Sequence, residues 1–397
     1  MPENPSHPVG RRHLLGLGAA TATAAAASAV SARPAAADAG AADAVTASSR
    51  ASRLRFSDAG TFRVVQFNDT QDNHRTDVRT IELVERTLDQ ERPDFVVVNG
   101  DVVNGDMTTA QQVRQAYNHV VLPMEERRIP WAITFGNHDE DSAGATGMTE
   151  PRIREFLAGY RHNVGSTARG VSGDSNQVLT VRGSRGRGTA FALWLLDSGR
   201  YSPETVGGQP VEEYTYETIH ADQVAWYREQ SIALQRRAGA PVPGLMFFHI
   251  PLWEHRHAWF GSPTEWTEES HARAVVKHRI VGERNEREYT AQFNPGLFLA
   301  ALERGDVKGI FCGHDHVNTY VADYFGIQLG YGPGTGFGTY GLEGDDVHRL
   351  RGARVFDLDE DHPGVLKATR TVFASDFGID LSPRPQPLTT PEPLGHR

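Results

Sequence analysis

Five short apolar runs along the chain each end abruptly in a cluster of Asp, Asn or His. Thr61-Phe62-Arg63-Val64-Val65-Gln66-Phe67 runs into Asn68-Asp69-Thr70-Gln71, and Phe95-Val96-Val97-Val98 into Asn99-Gly100-Asp101. Trp131-Ala132-Ile133-Thr134-Phe135 delivers Gly136-Asn137-His138-Asp139. Leu245-Met246-Phe247-Phe248 delivers His249, and Val307-Lys308-Gly309-Ile310-Phe311-Cys312 delivers Gly313-His314-Asp315-His316. Near-continuous apolar runs of this length read as strands buried on both faces. Val78, Ile81, Val84 and Leu88 recur at helical spacing, with Pro93 just beyond. Thr108 with Gln111 reads as a capping box that opens a second helix running to about Arg127. The first three strands therefore alternate with helices as β-α-β-α-β, an α/β pattern. Right-handed crossovers would bring their polar ends to one edge of a parallel sheet.

The middle of the chain is less regular. A helix is expected at about 150–160, then a Gly-, Ser- and Arg-rich loop from Arg161 to Gly188. A strand from Ala190 to Leu196 ends in Asp197, and Asp222 is expected to cap a helix carrying Val224, Tyr227 and Ile232. A polar, His- and Arg-rich insert spans Trp253 to about Thr290, and a helix near Leu297–Leu302 precedes the last of the five runs. Strands near Asn318–Tyr324 and Ile327–Tyr331 flank the turn Phe325-Gly326, and strands at Ala353–Leu358 and Thr369–Phe373 follow. The Pro-rich end, 381–397, is expected to fray from Ser382 onward.

The N-terminus is not part of this pattern. Arg11-Arg12-His13-Leu14-Leu15-Gly16 is a twin-arginine pair before a small and apolar stretch, and an Ala-rich run continues to about Ala44. This is the form of a Tat export signal, with small residues near Ala32 and Ala37 suited to cleavage. Residues 1–50 are set aside as signal and linker, so 51–380 carry the folded domain. The Ala-rich run is too weakly apolar for a membrane span, and none is expected in the mature protein. Export would place the protein outside the cell or in its envelope.

The formal net charge of −10 argues against a nucleic-acid or anionic-membrane binder. The single cysteine, Cys312, excludes an intrachain disulfide and lies inside an apolar run, where it reads as a buried filler. No feature assigns an oligomeric state. Candidate chemistry is confined to the strand ends. Asp69, Asp101, Asn137, His249, His314 and His316 suffice for two metals if the carboxylate of Asp101 is shared. Two metals clamp a phosphate and activate a bridging water, so no Ser or Cys nucleophile is needed. Gly330-Tyr331-Gly332-Pro333-Gly334-Thr335-Gly336 is Gly-rich but lacks the Lys-Ser/Thr of a P-loop, and reads as a tight loop packed near the metals.

Gly100-Asp101, Gly136-Asn137-His138-Asp139, His249 and Gly313-His314-Asp315-His316, in that order, resemble the calcineurin-like metallophosphoesterases over roughly residues 60–345. His249-Ile250-Pro251-Leu252 and Gly305-Asp306-Val307-Lys308 resemble its purple-acid-phosphatase-like branch of plants and fungi. The resemblance implies a four-layer α/β/β/α sandwich with a dinuclear metal site at strand C-terminal ends, and 51–380 as its catalytic domain. It implies Asp69, Asp101 and His316 on one divalent ion and Asp101, Asn137, His249 and His314 on the other, the ions being Mn, Fe or Zn. His138 would face the leaving group or a phosphoryl oxygen. The implied activity is hydrolysis of a small phosphate mono- or diester by a metal-bridging hydroxide. The other reading is a metal-binding module of the same fold with weak or no turnover.

Three positions depart from the family pattern. Where Asp-x-His is usual, this chain has Asp69-Thr70-Gln71, so Gln71 offers a neutral amide oxygen to the first metal; Asp72 and His74 stand near enough in sequence to compensate. Purple enzymes carry a tyrosine three positions after the bridging Asp, where this chain has Asn104, so no purple tyrosinate band is expected. The Asp-Arg-Gly of Ser/Thr protein phosphatases is replaced by Asn104-Gly105-Asp106, which removes their phosphate-holding arginine. The remaining candidates are weaker. Trp253 to His257 are read as either cleft lining or a solvated loop. His278 and Arg284 carry only a faint signal, and Asp197 a structural role.

Overall fold

Strands β1 (Thr61–Phe67), β2 (Phe95–Asn99) and β3 (Trp131–Thr134) run parallel, joined by helices α1 (Val78–Glu91) and α2 (Ala110–Glu126). They come from a computed structural model that describes residues 54–186, 188–211 and 215–395. The export signal read from residues 1–50 lies outside the described residues. Two short helices follow, α3 (Ala143–Thr146) and α4 (Glu150–Leu157), then β4 (Gln177–Arg182), β5 (Thr189–Leu195) and the small hairpin β6 (Thr205–Val206) and β7 (Gln209–Pro210). Helix α5 (Ala221–Ala238) leads to β8 (Gly244–Phe247), and helices α6 (Trp253–Phe260), α7 (Glu268–His278) and α8 (Leu297–Arg304) lead to β9 (Val307–Cys312). Strands β10 (Val321–Tyr324), β11 (Ile327–Tyr331), β12 (Gly352–Asp359) and β13 (Leu366–Phe373) complete the order.

The strands form two main sheets. The first has the order β13-β12-β1-β2-β3 and the second β10-β11-β9-β8-β5-β4. Alternate residues of β1 and β2 face opposite ways. Phe62, Val64, Phe95 and Val97 meet Leu193, Leu195, Leu245, Phe247 and Phe311 of the second sheet. Val65, Phe67, Val96 and Val98 instead pack on Val84 and Leu88 of α1 and Val113 and Tyr117 of α2. On the far side, Ala192, Trp194, Met246 and Ile310 pack under Tyr227 of α5, Ala258 of α6 and Leu297 of α8. The layers are therefore α/β/β/α. Burial on both faces is why these strands read as continuous apolar runs.

Side chains of the first sheet tie the ends of its strands to those of the second. Gln66 Nε2 donates to the carbonyl of Cys312 at 3.1 Å, Asn99 Nδ2 to that of Phe248 at 3.0 Å, and Thr134 Oγ1 to that of Leu196 at 2.5 Å. Each is a buried donor that finds its acceptor across the seam. The seam thus sets β1, β2 and β3 against the ends of β9, β8 and β5.

The pattern misleads in several places. Strand β4 lies inside the stretch read as a loop. Its inward positions are Gln177, Leu179 and Val181, an edge-strand alternation hidden by the surrounding Gly and Arg. The polar insert contains α6 and α7, and α7 opens on Thr267, whose hydroxyl accepts the amide of Ser270 at 3.2 Å. Helix α5 is capped at His220 rather than Asp222, which sits in the first turn. The α2 capping box is Thr109 with Gln112, one residue later than expected.

The C-terminal tail does not fray over its described residues, which run to Gly395. The buried guanidinium of Arg79, 1% exposed, donates to the carbonyls of Asp380, Ser382 and Arg384 at 3.2, 2.7 and 3.1 Å. The Gln386 amide donates to Asp77 Oδ2 at 2.8 Å, the Leu388 amide to the Thr76 carbonyl at 3.0 Å, and the Gly395 amide to Asn118 Oδ1 at 2.9 Å. Proline composition was a poor guide because this segment offers carbonyls to Arg79 and amides to Asp77, Thr76 and Asn118. Deleting residues 383–397 removes the Arg384 carbonyl from the buried Arg79 and the bonds from Gln386, Leu388 and Gly395. The deletion is expected to lower stability by at least about 2 kcal/mol in urea unfolding; an unchanged midpoint would refute the strap.

Candidate metal centre

At the end of each parallel strand the chain must turn sharply, and four candidate residues take the strain. Asp69, Gln71, Asp101 and His314 have φ of 51°, 31°, 48° and 74°, a left-handed conformation that costs free energy for residues with a Cβ. Backbone bonds hold them there. The Asp69 amide donates to the Gly100 carbonyl at 3.1 Å and the Gln71 amide to that of Asp101 at 2.9 Å. The Gly-rich loop packs underneath, as its sequence suggested: the Gly336 amide donates to the Asp69 carbonyl at 3.0 Å.

These turns bring together Asp101, His249 and His314, and beside them Asp69, Asp101 and His316. Within each trio the nearest ligand atoms lie within 4.8 Å of one another, and every residue is buried. Asp101 belongs to both trios. His249 Nε2 stands 3.0 Å from Asp101 Oδ2, and His316 Nε2 3.4 Å from Asp69 Oδ1. The other ring nitrogens are directed elsewhere: His249 Nδ1 to the Asn99 carbonyl at 3.0 Å, His316 Nδ1 to that of Tyr340 at 3.2 Å. A proton on Nδ1 leaves the Nε2 lone pair for a cation. His249 Nε2, His314 Nε2 and Asn137 Oδ1 are buried without a hydrogen-bond partner. Buried polar atoms are seldom left so. Two carboxylates, an amide oxygen and imidazole nitrogens of this kind fit divalent first-row cations.

Without cations the charges lean on each other. Burial alone would raise the Asp101 carboxyl, but His249 outweighs it and holds Asp101 well below the usual range. Burial alone would lower His249, but Asp101 and Asp69 raise it to about 10. Burial, with the charge of His249, pushes His314 down to about 3.

The motif glycines are needed for closeness. A Cβ on Gly100 would sit 2.6 Å from His249 Nδ1, and one on Gly136 would collide with the Asp101 carboxylate and amide. Asp139 ties two motifs together: its carboxylate accepts the amides of Asp101, Val102 and Gly136 at 3.0, 2.8 and 2.8 Å and the Tyr117 hydroxyl at 2.7 Å. Asp315 faces away from the two trios toward the Tyr289 amide and the Tyr331 hydroxyl.

Gln71 Oε1 accepts the Thr339 hydroxyl at 2.5 Å, which engages one of its two lone pairs. Of the neighbours offered as compensation, neither belongs to the two trios. Asp72 spends its carboxylate on the amides of Asn73 and Asp77, and His74 Nε2 lies 3.5 Å from Gln112 Nε2. Asn104 Oδ1 accepts the Asp106 amide, and the hydroxyls of Tyr320 and Tyr331 bond Glu288 and Asp315. Of the weaker candidates, Arg284 pairs with buried Glu288, His278 Nδ1 lies 2.9 Å from the Asp323 carbonyl, and Asp197 accepts the amides of Asp174 and Gly199. Trp253 opens α6 and donates to the Ala291 carbonyl at 2.8 Å. Cys312 is buried as expected.

His138 lies beside the cluster, its amide donating to Asp101 Oδ1 at 2.8 Å. Its ring meets two residues the motifs did not mark, Asp141 and Tyr201, and Arg200 in turn pairs with Asp141. Burial would lower the His138 pKa, but Asp141 and Asp101 raise it. Asp141 is three residues past His138, a visible His-x-x-Asp. Arg200 and Tyr201 follow β5 at a distance no local pattern reveals. Tyr216 and Tyr340 were also missed; their rings lie 4.2 and 4.0 Å from those of His314 and His316.

Among the described residues no helix is long and apolar enough to cross a membrane. Residues 62–318 match the calcineurin-like phosphoesterase family. The chain is 30% identical over 325 residues to "probable inactive purple acid phosphatase 14" of Arabidopsis thaliana, covering 74% of this chain and 75% of that protein. It is 28% identical over 360 residues to "probable inactive purple acid phosphatase 29" of the same plant, covering 83% and 85%. A dimetal phosphatase from Danio rerio aligns structurally with TM-score 0.44 and 14% identity, over 79% of this chain and 99% of that one. With residues 62–318 matched to the family and a relative 30% identical over about three quarters of both chains, the chain belongs to the calcineurin-like phosphoesterase family.

Proposed function

We propose that this protein is a metal-dependent phosphohydrolase for small phosphate mono- or diesters. The observation that carries the reading is the set of buried, partly unpartnered ligand atoms from Asp69, Asp101, Asn137, His249, His314 and His316, with His138 beside them. Asp69, Gln71, Asp101 and His316 would hold one divalent ion, and Asp101, Asn137, His249 and His314 the other. Such ions would supply Lewis-acid charge for the phosphoryl group and lower the pKa of water for in-line attack. The chain's own residues do the rest. Asp101 keeps its carboxylate ionised. Asp139 fixes the backbone of the second and third motifs. His138 carries a proton to the leaving oxygen, a contribution typically worth about 10²–10⁴-fold. Export in folded form, supported by the Arg11-Arg12 segment, belongs to the same reading.

A second reading is a binding module with little or no turnover. Gln71, bonded to Thr339, favours it, and two relatives carry "inactive" in their names. Assays of aryl phosphate mono- and diesters with Mn²⁺, Fe²⁺ or Zn²⁺ separate the two. Metal-dependent turnover is expected, lost on chelation and restored by Mn²⁺. Binding of metal with no hydrolysis of any ester would establish the second reading.

A further inference from the structure

We propose that Asp141, Arg200 and Tyr201 are positioning residues that fix the tautomer and direction of the His138 ring. This rests on the reading of His138 as proton donor to the leaving oxygen. His138 Nδ1 lies 2.6 Å from Asp141 Oδ2. An ionised carboxylate only accepts, so Nδ1 carries a hydrogen and the ring presents Nε2 to the reaction; the proton given to the leaving oxygen is a second one, carried on Nε2. Asp141 is itself held in place. Its Oδ1 accepts an Arg200 amino group at 2.5 Å, and its Oδ2 also accepts the Tyr201 hydroxyl at 3.0 Å.

The same two residues reach the candidate ligand next door. Arg200 Nε donates to the Asn137 carbonyl at 3.0 Å. Asn137 Nδ2 donates to the Tyr201 oxygen at 3.3 Å, which leaves Oδ1 as the unpartnered end of that amide. One guanidinium and one phenol therefore lock both Asn137 and the carboxylate behind His138. The His138, Asp141 and Arg200 side chains are only 35%, 22% and 28% exposed, so these are not freely solvated surface pairs. A loop following β5 supplies what the Asn104-Gly105-Asp106 segment does not: a cation beside the third motif.

Arg200 also makes the test sharp. In Asp141→Asn its amino group requires the amide oxygen on its own side. The new NH₂ then faces His138 Nδ1, which must accept from it. A neutral ring therefore carries its hydrogen on Nε2 and cannot hold one on each nitrogen, the form that gives up the Nε2 proton readily. With the full-length metal-loaded protein, Asp141→Asn is expected to lower kcat on glycerol 2-phosphate by about 10²-fold. The loss on 4-nitrophenyl phosphate, whose leaving group needs no proton, is expected to be less than about fivefold. KM and metal content should hold within about twofold, and Asp141→Glu should restore part of the loss. Arg200→Gln should show the same leaving-group pattern at smaller size. Imidazole ¹⁵N shifts of the Zn²⁺-loaded protein in alkaline buffer read the tautomer without turnover. Nδ1–H is expected in wild type and Nε2–H in Asp141→Asn. Equal kcat losses on both esters, or no loss on either, would overturn the proposal, as would one tautomer in both proteins. Wild type that hydrolyses neither ester would instead sink the phosphohydrolase reading, and the ¹⁵N shifts would still decide the positioning.

Discussion

Asp101→Ala is expected to abolish hydrolysis, by more than about 10³-fold, and to release both metals. His249→Ala should be nearly as severe, while Gln71→Ala should cost only about 10- to 100-fold. The ranking follows from what each side chain serves. Asp101 is common to both buried trios, and it also accepts the His138 amide. Its loss removes the shared carboxylate and the hydrogen bond that seats His138. His249 has no exposure, and its Nδ1 is fixed on the Asn99 carbonyl, so nothing else can move in to supply that Nε2. Gln71 carries no charge and already shares its oxygen with Thr339. Gln71→His should tighten the first metal, because an imidazole nitrogen binds first-row ions better than an amide oxygen. Metal content by mass spectrometry together with kcat/KM on an aryl phosphate checks the order. A Gln71→Ala protein as crippled as Asp101→Ala would overturn it.

The strand ends were legible because the physics is local. A strand buried on both faces must be apolar throughout, so the first polar residue after it marks the turn. Phe67 to Asn68, Phe135 to Gly136 and Cys312 to Gly313 are such boundaries. The pairing of the two sheets was not legible, since Gln66, Asn99 and Thr134 look like ordinary strand polar residues until their partners are known. The same limit hid Arg200 and Tyr201, which meet the Asn137 carbonyl and the His138 ring from more than 60 residues away along the chain. The helices of the insert were not legible because α6 and α7 bury His255 and His278 rather than a regular apolar stripe. The tail was misread because its partners, Arg79 and Asp77, lie about 300 residues earlier.

Gly136→Ala is expected to cost more than about 10²-fold in activity and about 1–3 kcal/mol in stability, although it adds a single methyl group. The new Cβ would overlap the Asp101 carboxylate and amide and lie 2.8 Å from His249 Cδ2. None of the three can yield cheaply. The Asp101 amide is bonded to Asp139 at 3.0 Å, and the His249 ring is pinned by the Asn99 carbonyl. The Asp101 carboxylate can swing, but only by leaving both trios and the His138 amide. The methyl therefore displaces the shared ligand whichever neighbour gives way. Gly144→Ala is the matched control. It lies in helix α3 with nothing within 4 Å of the added carbon, so the same change there should be neutral or stabilising by up to about 1 kcal/mol. Urea unfolding, metal content and turnover measured on the pair separate the site from the general effect of an added methyl. A Gly136→Ala protein with full metal content and activity within about threefold of wild type would show that the backbone accommodates the carbon, and that the close approach of the second and third motifs is not required.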